Sequence, residues 1–198
     1  MAALKHGIRA VPVAAGVLAT IAVAVQLYVP LLRARRGDVD YATLGLRLDR
    51  WRVDLVALIV AIVLVTPPYF FGFGWWVPWA DTFEWKLPPD FAQRFFLETL
   101  VVAFAEELFF RGYLQERWTR WDPRGWRVAG VAWRPIVAVS AVFALIHFLG
   151  EYNPARLGPF FPSLAFGLLR AKTGSIVAAT GFHAYCNALA DVMFYGYS

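Results

Sequence analysis

Four polar residues lie within hydrophobic stretches of the sequence, and their side chains could do chemistry there. They are Glu106, His147, His183 and Asn187. An ionisable side chain in a transmembrane helix costs at least about 2.5 kcal/mol on insertion scales, so each one requires a reason. A carboxylate, two imidazoles and an amide can together activate water and stabilise an oxyanion. These four residues are therefore the candidate catalytic set.

Two charged residues beside Glu106 predict a structural pair. Glu107 and Arg111 are four residues apart, the spacing at which helical side chains share a face and can form an ion pair. Because pairing removes most of the cost of burying either charge, we expect this pair to be architectural. Glu106 points about 100° away around the helix and lacks that partner. It is the carboxylate that is free to do chemistry.

The elements that must position these residues are hydrophobic helices. The chain is 60% hydrophobic and 17% aromatic, and its apolar runs approach the roughly 20 residues that cross about 30 Å of hydrocarbon. This pattern predicts an all-α, polytopic membrane helical bundle of about six transmembrane helices. The fifth segment is short, which is typical of a tilted or re-entrant helix. The predicted segments are 8–32, 55–73, 95–118, 135–149, 159–171 and 175–195.

Helical spacing and depth indicate that the four candidates share one site. His183 and Asn187 are four apart on one helix face, and Phe143 and His147 repeat that spacing on another helix. Counting about 1.5 Å per residue from the predicted helix ends puts the four candidates about 14–20 Å deep. A single histidine or asparagine in a bundle is more often an interhelical hydrogen-bonder than a catalyst. The functional interpretation therefore depends on their common depth.

The basic residues are distributed unequally between the two sides of the predicted bundle. Of the 19 Lys and Arg residues, 13 fall in loops on one side and five on the other. The positive-inside rule then places the richer side in the cytoplasm and both termini outside. The net charge of +5 is explained by topology, so we expect no nucleic-acid partner. A single cysteine, Cys186, excludes a disulfide within the chain. The 13 residues are Arg33, Arg35, Arg36, Arg47, Arg50, Arg52, Arg117, Arg120, Arg124, Arg127, Arg134, Arg170 and Lys172.

Three motifs on successive hydrophobic segments resemble a known family. Residues 106–111 fit EExxxR, residues 143–147 fit FxxxH and residues 183–187 fit HxxxN. In this order they resemble the CAAX prenyl protease and bacteriocin-processing (CPBP) family. The resemblance covers about residues 94–195. We expect one membrane domain in two parts, which are the two N-terminal helices and aromatic loop of 1–92 and the catalytic helical core of 93–198.

The resemblance implies an intramembrane endopeptidase of the glutamic type. Glu106 would be the general base acting on water, and His147 would help to hold and activate that water. His183 and Asn187 would donate to the oxyanion formed at the peptide carbonyl. Glu107, Arg111 and Phe143 would support these groups, with no cofactor and no covalent intermediate.

The implied substrate is a peptide or protein associated with the lipid bilayer. A prenylated C-terminus, a leader peptide and the C-terminal anchor of a surface protein all remain open. The predicted topology puts the short loops after residues 73 and 147 outside, which favours exported substrates. The resemblance and the short chain favour an integral protein of the bacterial inner (plasma) membrane.

Three alternatives arise from the same residues. Glu106, His147 and His183 could bind zinc, with water in the fourth position; this ranks second because the HExxH of membrane metalloproteases is absent. Serine chemistry is weaker still, because Ser140 lies about 10 Å along the axis from His147. A non-proteolytic scaffold or a small transporter could use the buried charges as a polar pathway.

Overall fold

The structure, a computed structural model, describes residues 13–76 and 82–197, and these form a bundle of six helices. The predicted all-α fold is therefore confirmed; the start of the first predicted segment lies outside the described residues. The helices are α1 (Val13–Arg35), α2 (Trp51–Trp76), α3 (Phe91 to Trp121), α4 (Trp133–Glu151), α5 (Phe160–Thr173) and α6 (Val177–Gly196). A short antiparallel hairpin, β1 (Arg127–Val128) and β2 (Val131–Ala132), separates α3 from α4.

Helix α3 changes its winding around the two adjacent glutamates. The α-helical turn Phe104–Glu107 lies between two π-helical stretches, Glu98–Ala103 and Leu108–Gln115. Ordinary α-helix, Phe91–Leu97 and Glu116–Trp121, continues at both ends. π-helical turns bond residue i to i+5 and are found frequently at functional sites. The candidate carboxylates thus lie at the most irregular part of the helix.

Three of the helices are long and apolar enough to cross a membrane. They are Val17–Arg35, Trp51–Phe73 and Trp133–Glu151, and no other helix within 13–76 and 82–197 meets both criteria. Helix α5 has 14 residues, about 21 Å at 1.5 Å per residue, and α3 and α6 carry the ionisable residues described above. The crossing of all six segments stays a prediction.

The core lies where α6 packs against α2, α3 and α5. Its largest cluster includes Phe166 and Leu169 of α5 with Ala179 and Phe182 of α6, and partly buried residues of α2 pack against it. The outer face of α2 leaves large apolar side chains exposed, as expected for a helix in contact with lipid. Helix α6 is thereby held at the centre, beside the glutamates of α3.

Helices α3, α4 and α5 approach one another closely at Gly167. A Cβ atom on this residue would lie 2.8 Å from Ile136 Cγ2 and 2.9 Å from Gln115 Oε1. Gln115 Nε2 donates a hydrogen bond to the Gly167 carbonyl oxygen at 3.0 Å. The missing side chain thus allows α5 to press against α3 one helical turn beyond Arg111.

Candidate active site

The two adjacent glutamates of α3 approach opposite nitrogens of the His183 ring. His183 Nδ1 lies 2.9 Å from Glu107 Oε1, and Nε2 lies 3.7 Å from Glu106 Oε2. Because an ionised carboxylate can only accept, Nδ1–H is the donor to Glu107. The Nε2 distance is too long for a direct hydrogen bond. His183 thus has one fixed nitrogen and one that faces Glu106.

Arg111 fixes Glu107 from the same helix. Its Nη1 donates to Glu107 Oε1 at 2.8 Å, which is the oxygen that also accepts from His183. Its Nη2 donates to the hydroxyl and carbonyl oxygens of Ser163 on α5. Arg111 and Glu107 are 1% and 0% exposed, so this ion pair is fully removed from solvent. The pair expected from the spacing forms, and it also orients His183, which the sequence reasoning missed.

Two phenylalanine rings enclose the charged groups. The Arg111 guanidinium carbon lies 4.6 Å from the Phe143 ring centroid and 5.0 Å from that of Phe166. Phe166 stacks on the His183 ring at 4.7 Å, with 13° between the planes. Phe143 also contacts both imidazoles, at 5.8 Å from His183 and 4.5 Å from His147. These apolar rings exclude water from the part of the site that holds Arg111 and His183, which strengthens the electrostatic interactions there.

His147 reaches the site through Phe143. Its Nδ1 lies 2.8 Å from the Phe143 carbonyl oxygen one turn earlier, and because a carbonyl only accepts, Nδ1–H is the donor. In the neutral ring, Nε2 then carries the free lone pair. Among the described residues, no hydrogen bond or ion pair joins His147 directly to Glu106 or His183. Its half-buried ring can therefore accept a hydrogen bond from a water molecule.

Glu106 keeps a carboxylate oxygen available. Its side chain is 14% exposed, and its Oε2 is buried with no hydrogen-bond partner in the described part of the chain. Asn187 is half-buried on α6, one turn beyond His183. One turn further, Asp191 forms an ion pair with Arg94 of α3 at 2.9 Å. Asp191 therefore ties α6 to the start of α3, and Glu107 is the carboxylate that orients His183.

The zinc alternative requires Glu106, His147 and His183 to converge on one point. Within 13–76 and 82–197, no group of three His, Cys, Asp or Glu side chains is arranged to hold a metal ion. The imidazole of His183 instead lies between two carboxylates, and His147 contacts it only through the Phe143 ring. The three side chains of the zinc alternative are therefore not grouped around one point in the described residues, and the absence of a cofactor stays a prediction.

A comparison with protein-family models identifies the family of this chain. The family described as type II CAAX prenyl endopeptidase, Rce1-like, matches residues 88–189, more than half of the chain and all three motifs. The chain belongs to this Rce1-like family. Neither the curated proteins nor the solved structures that were compared include a match. The resemblance seen in the three motifs is therefore confirmed, and the protein is an integral membrane endopeptidase by family.

Proposed function

We propose that this protein is an intramembrane glutamic endopeptidase in which Glu106 activates the water that attacks a peptide bond. The observation that supports this most strongly is the different environment of two neighbouring carboxylates. Glu107 is neutralised by Arg111 and bound to His183, both through Oε1, whereas Glu106 makes no hydrogen bond within the described residues and lies 3.7 Å from His183 Nε2. One carboxylate is used for structure and the other is available for proton transfer.

The reaction can proceed without a covalent intermediate. Glu106 takes a proton from water, and the oxygen of that water bonds to the peptide carbonyl carbon. When the tetrahedral intermediate collapses, the C–N bond breaks and the leaving amine takes the proton from Glu106. His147 Nε2 accepts a hydrogen bond from the water and so directs the lone pair of the water oxygen at the peptide carbonyl carbon.

The oxyanion needs donors on α6. The Asn187 amide can donate directly. His183 can donate from Nε2 only in its protonated form, because Nδ1–H already bonds to Glu107. The Glu107 carboxylate balances that positive charge, so the proposed roles of Glu107 and His183 depend on each other.

The proposed substrate is a peptide segment that reaches the bilayer. A prenylated tail, a leader peptide and a C-terminal anchor each meet this condition. Glu106, Glu107 and His183 lie between helices whose outer faces are apolar. The peptide segment that is cleaved must therefore enter from the membrane or its surface. The proposed location is the bacterial inner membrane.

The test is cleavage of a panel of such peptides by the purified protein in lipid. We expect Glu106→Gln to lower the cleavage rate about 10²–10⁴-fold, because general acid–base catalysis contributes that much, and His147→Ala to lower it as well. Glu98→Gln is the matched control, because it is the same substitution two turns earlier on α3, where Glu98 forms an ion pair with Arg94 at 3.9 Å. Addition of a chelator should not change the cleavage rate.

Three outcomes would contradict the proposal. Full cleavage by Glu106→Gln would remove the glutamate from catalysis. Loss of cleavage on chelation, restored by zinc, would make Glu106 and the histidines metal ligands. Absence of cleavage by folded wild type, together with solute flux in vesicles that survives loss of Glu106, would favour a transporter.

A further inference from the structure

A second polar site lies away from Glu106 and Glu107, where the loop after α1 packs against the end of α3. It is a cavity of about 100 Å³. A water molecule takes about 30 Å³ in the liquid, so the cavity has room for a group of a few heavy atoms. Three arginines line it, Arg33 from α1 and Arg117 and Arg120 from α3. None of the catalytic candidates lines this cavity.

The cavity carries one positive charge that is not balanced. Its two carboxylates are already paired, since Arg33 Nη1 donates to Asp38 at 2.9 Å and Arg120 Nε donates to Glu116 at 3.0 Å. Arg117 forms no ion pair with any residue in the described part of the chain, and its side chain is exposed. The lining therefore has a formal charge of +1 and favours an anion.

The walls of the cavity are held by tertiary contacts. Gly112 of α3 lets the loop approach, because a Cβ atom there would lie 2.5 Å from the carbonyl oxygen of Leu44, a residue with 0% exposure. Thr43 accepts from Arg120 Nη2 at 3.1 Å, and its carbonyl accepts from Arg170 at 2.7 Å. The loop is fixed on α3, and the arginines are brought together before any ligand binds.

The position of the cavity indicates where its ligand comes from. Arg33 lies in the last turn of the apolar helix Val17–Arg35, which is long enough to cross a membrane. The end of such a helix lies at the level of the lipid headgroups. Basic pockets between helices at this level bind anionic headgroups. We propose that this cavity binds the phosphate of an anionic phospholipid, with Arg117 as its main partner.

The test measures lipid binding and does not require peptidase activity. Purified protein in neutral detergent is titrated with phosphatidylglycerol or phosphatidylcholine, and the rise in unfolding temperature gives the apparent affinity. We expect phosphatidylglycerol alone to stabilise the wild type, and Arg117→Gln to weaken its binding about fivefold, as for loss of one basic residue at a membrane surface. Arg124→Gln, in the exposed segment before the hairpin, removes the same charge outside the cavity and should have no effect.

Two results would overturn this proposal. Equal weakening by Arg117→Gln and Arg124→Gln would mean that general surface charge attracts the lipid. Stabilisation by inorganic phosphate at the same concentrations would identify a free anion as the ligand. Arg33→Gln, which removes the arginine supplied by α1, provides a second variant, and we expect it to weaken binding of phosphatidylglycerol in the same way.

Discussion

The residue on which the site depends most is Glu107. One of its oxygens accepts from both Arg111 and His183, and the side chain is completely buried. Taking either partner away would leave a polar group without compensation in a low-dielectric interior. This carboxylate has the same relation to His183 that an orienting carboxylate has to a catalytic imidazole, since it fixes which nitrogen carries the proton.

We therefore predict that Glu107→Gln destabilises the fold by about 3–5 kcal/mol, because it leaves the buried Arg111 charge unpaired. Glu106→Gln is the matched control, as an identical substitution at the adjacent residue, and should unfold close to the wild-type midpoint. Unfolding by denaturant in mixed micelles measures both. Equal midpoints for the two variants would show that the Glu107–Arg111 pair does not stabilise the bundle.

Sequence spacing could predict the Glu107–Arg111 pair because both residues lie on one helix, four positions apart. It could not predict the bond from Glu107 to His183, which joins residues on α3 and α6. Motif spacing does not specify which of two adjacent glutamates faces Nδ1, since that depends on how α6 packs. The catalytic roles of Glu106, His147, His183 and Asn187 stay predictions.

Among the elements, α5 packs closely against two neighbouring helices at one glycine. A Cβ atom at Gly167 would lie 2.8 Å from Ile136 Cγ2 of α4 and 2.9 Å from Gln115 Oε1 of α3. We predict that Gly167→Ala destabilises the protein by about 1–3 kcal/mol, as expected for overpacking of a core. Gly150→Ala is the control, because a Cβ atom at Gly150 would meet no heavy atom within 4 Å. Thermal unfolding of the two variants gives the comparison, and an equally stable Gly167→Ala would contradict the predicted clash.

Element positions followed from the sequence where apolar runs were long. The fourth predicted segment, 135–149, corresponds to Trp133–Glu151, and the sixth, 175–195, to Val177–Gly196. The hairpin at Arg127–Ala132 could not be predicted, because strands of two residues are too short to show an alternating pattern. The π-helical stretches of α3 were also missed, since local periodicity over six or eight residues cannot separate them from α-helix.

For the whole molecule, orientation in the membrane is the property to test. We predict that residues 122–132, between α3 and α4, face the cytoplasm, because the arginine-rich side of the bundle should remain inside. Cysteines introduced at Arg124 and Asn153, both exposed, would lie on opposite sides. A membrane-impermeant thiol reagent should label Asn153→Cys in intact cells and Arg124→Cys only after lysis. The native Cys186 is buried and provides the unlabelled background. The reverse labelling pattern would show that the orientation is opposite to the predicted one.

The widened turns of α3 can absorb the loss of a residue on each side of Glu106. A π-helical turn holds more residues than an α-helical turn, so removal of one residue within Glu98–Ala103 can restore a regular α-helix. Because the wide turns already accommodate the extra residue, the parts of α3 before and after the deletion would keep nearly the same relative orientation. Arg94 would then still face Asp191, and Glu106 and Glu107 would keep their orientation toward His183. The length of the first half of α3 can therefore change by one residue without loss of its contact with α6.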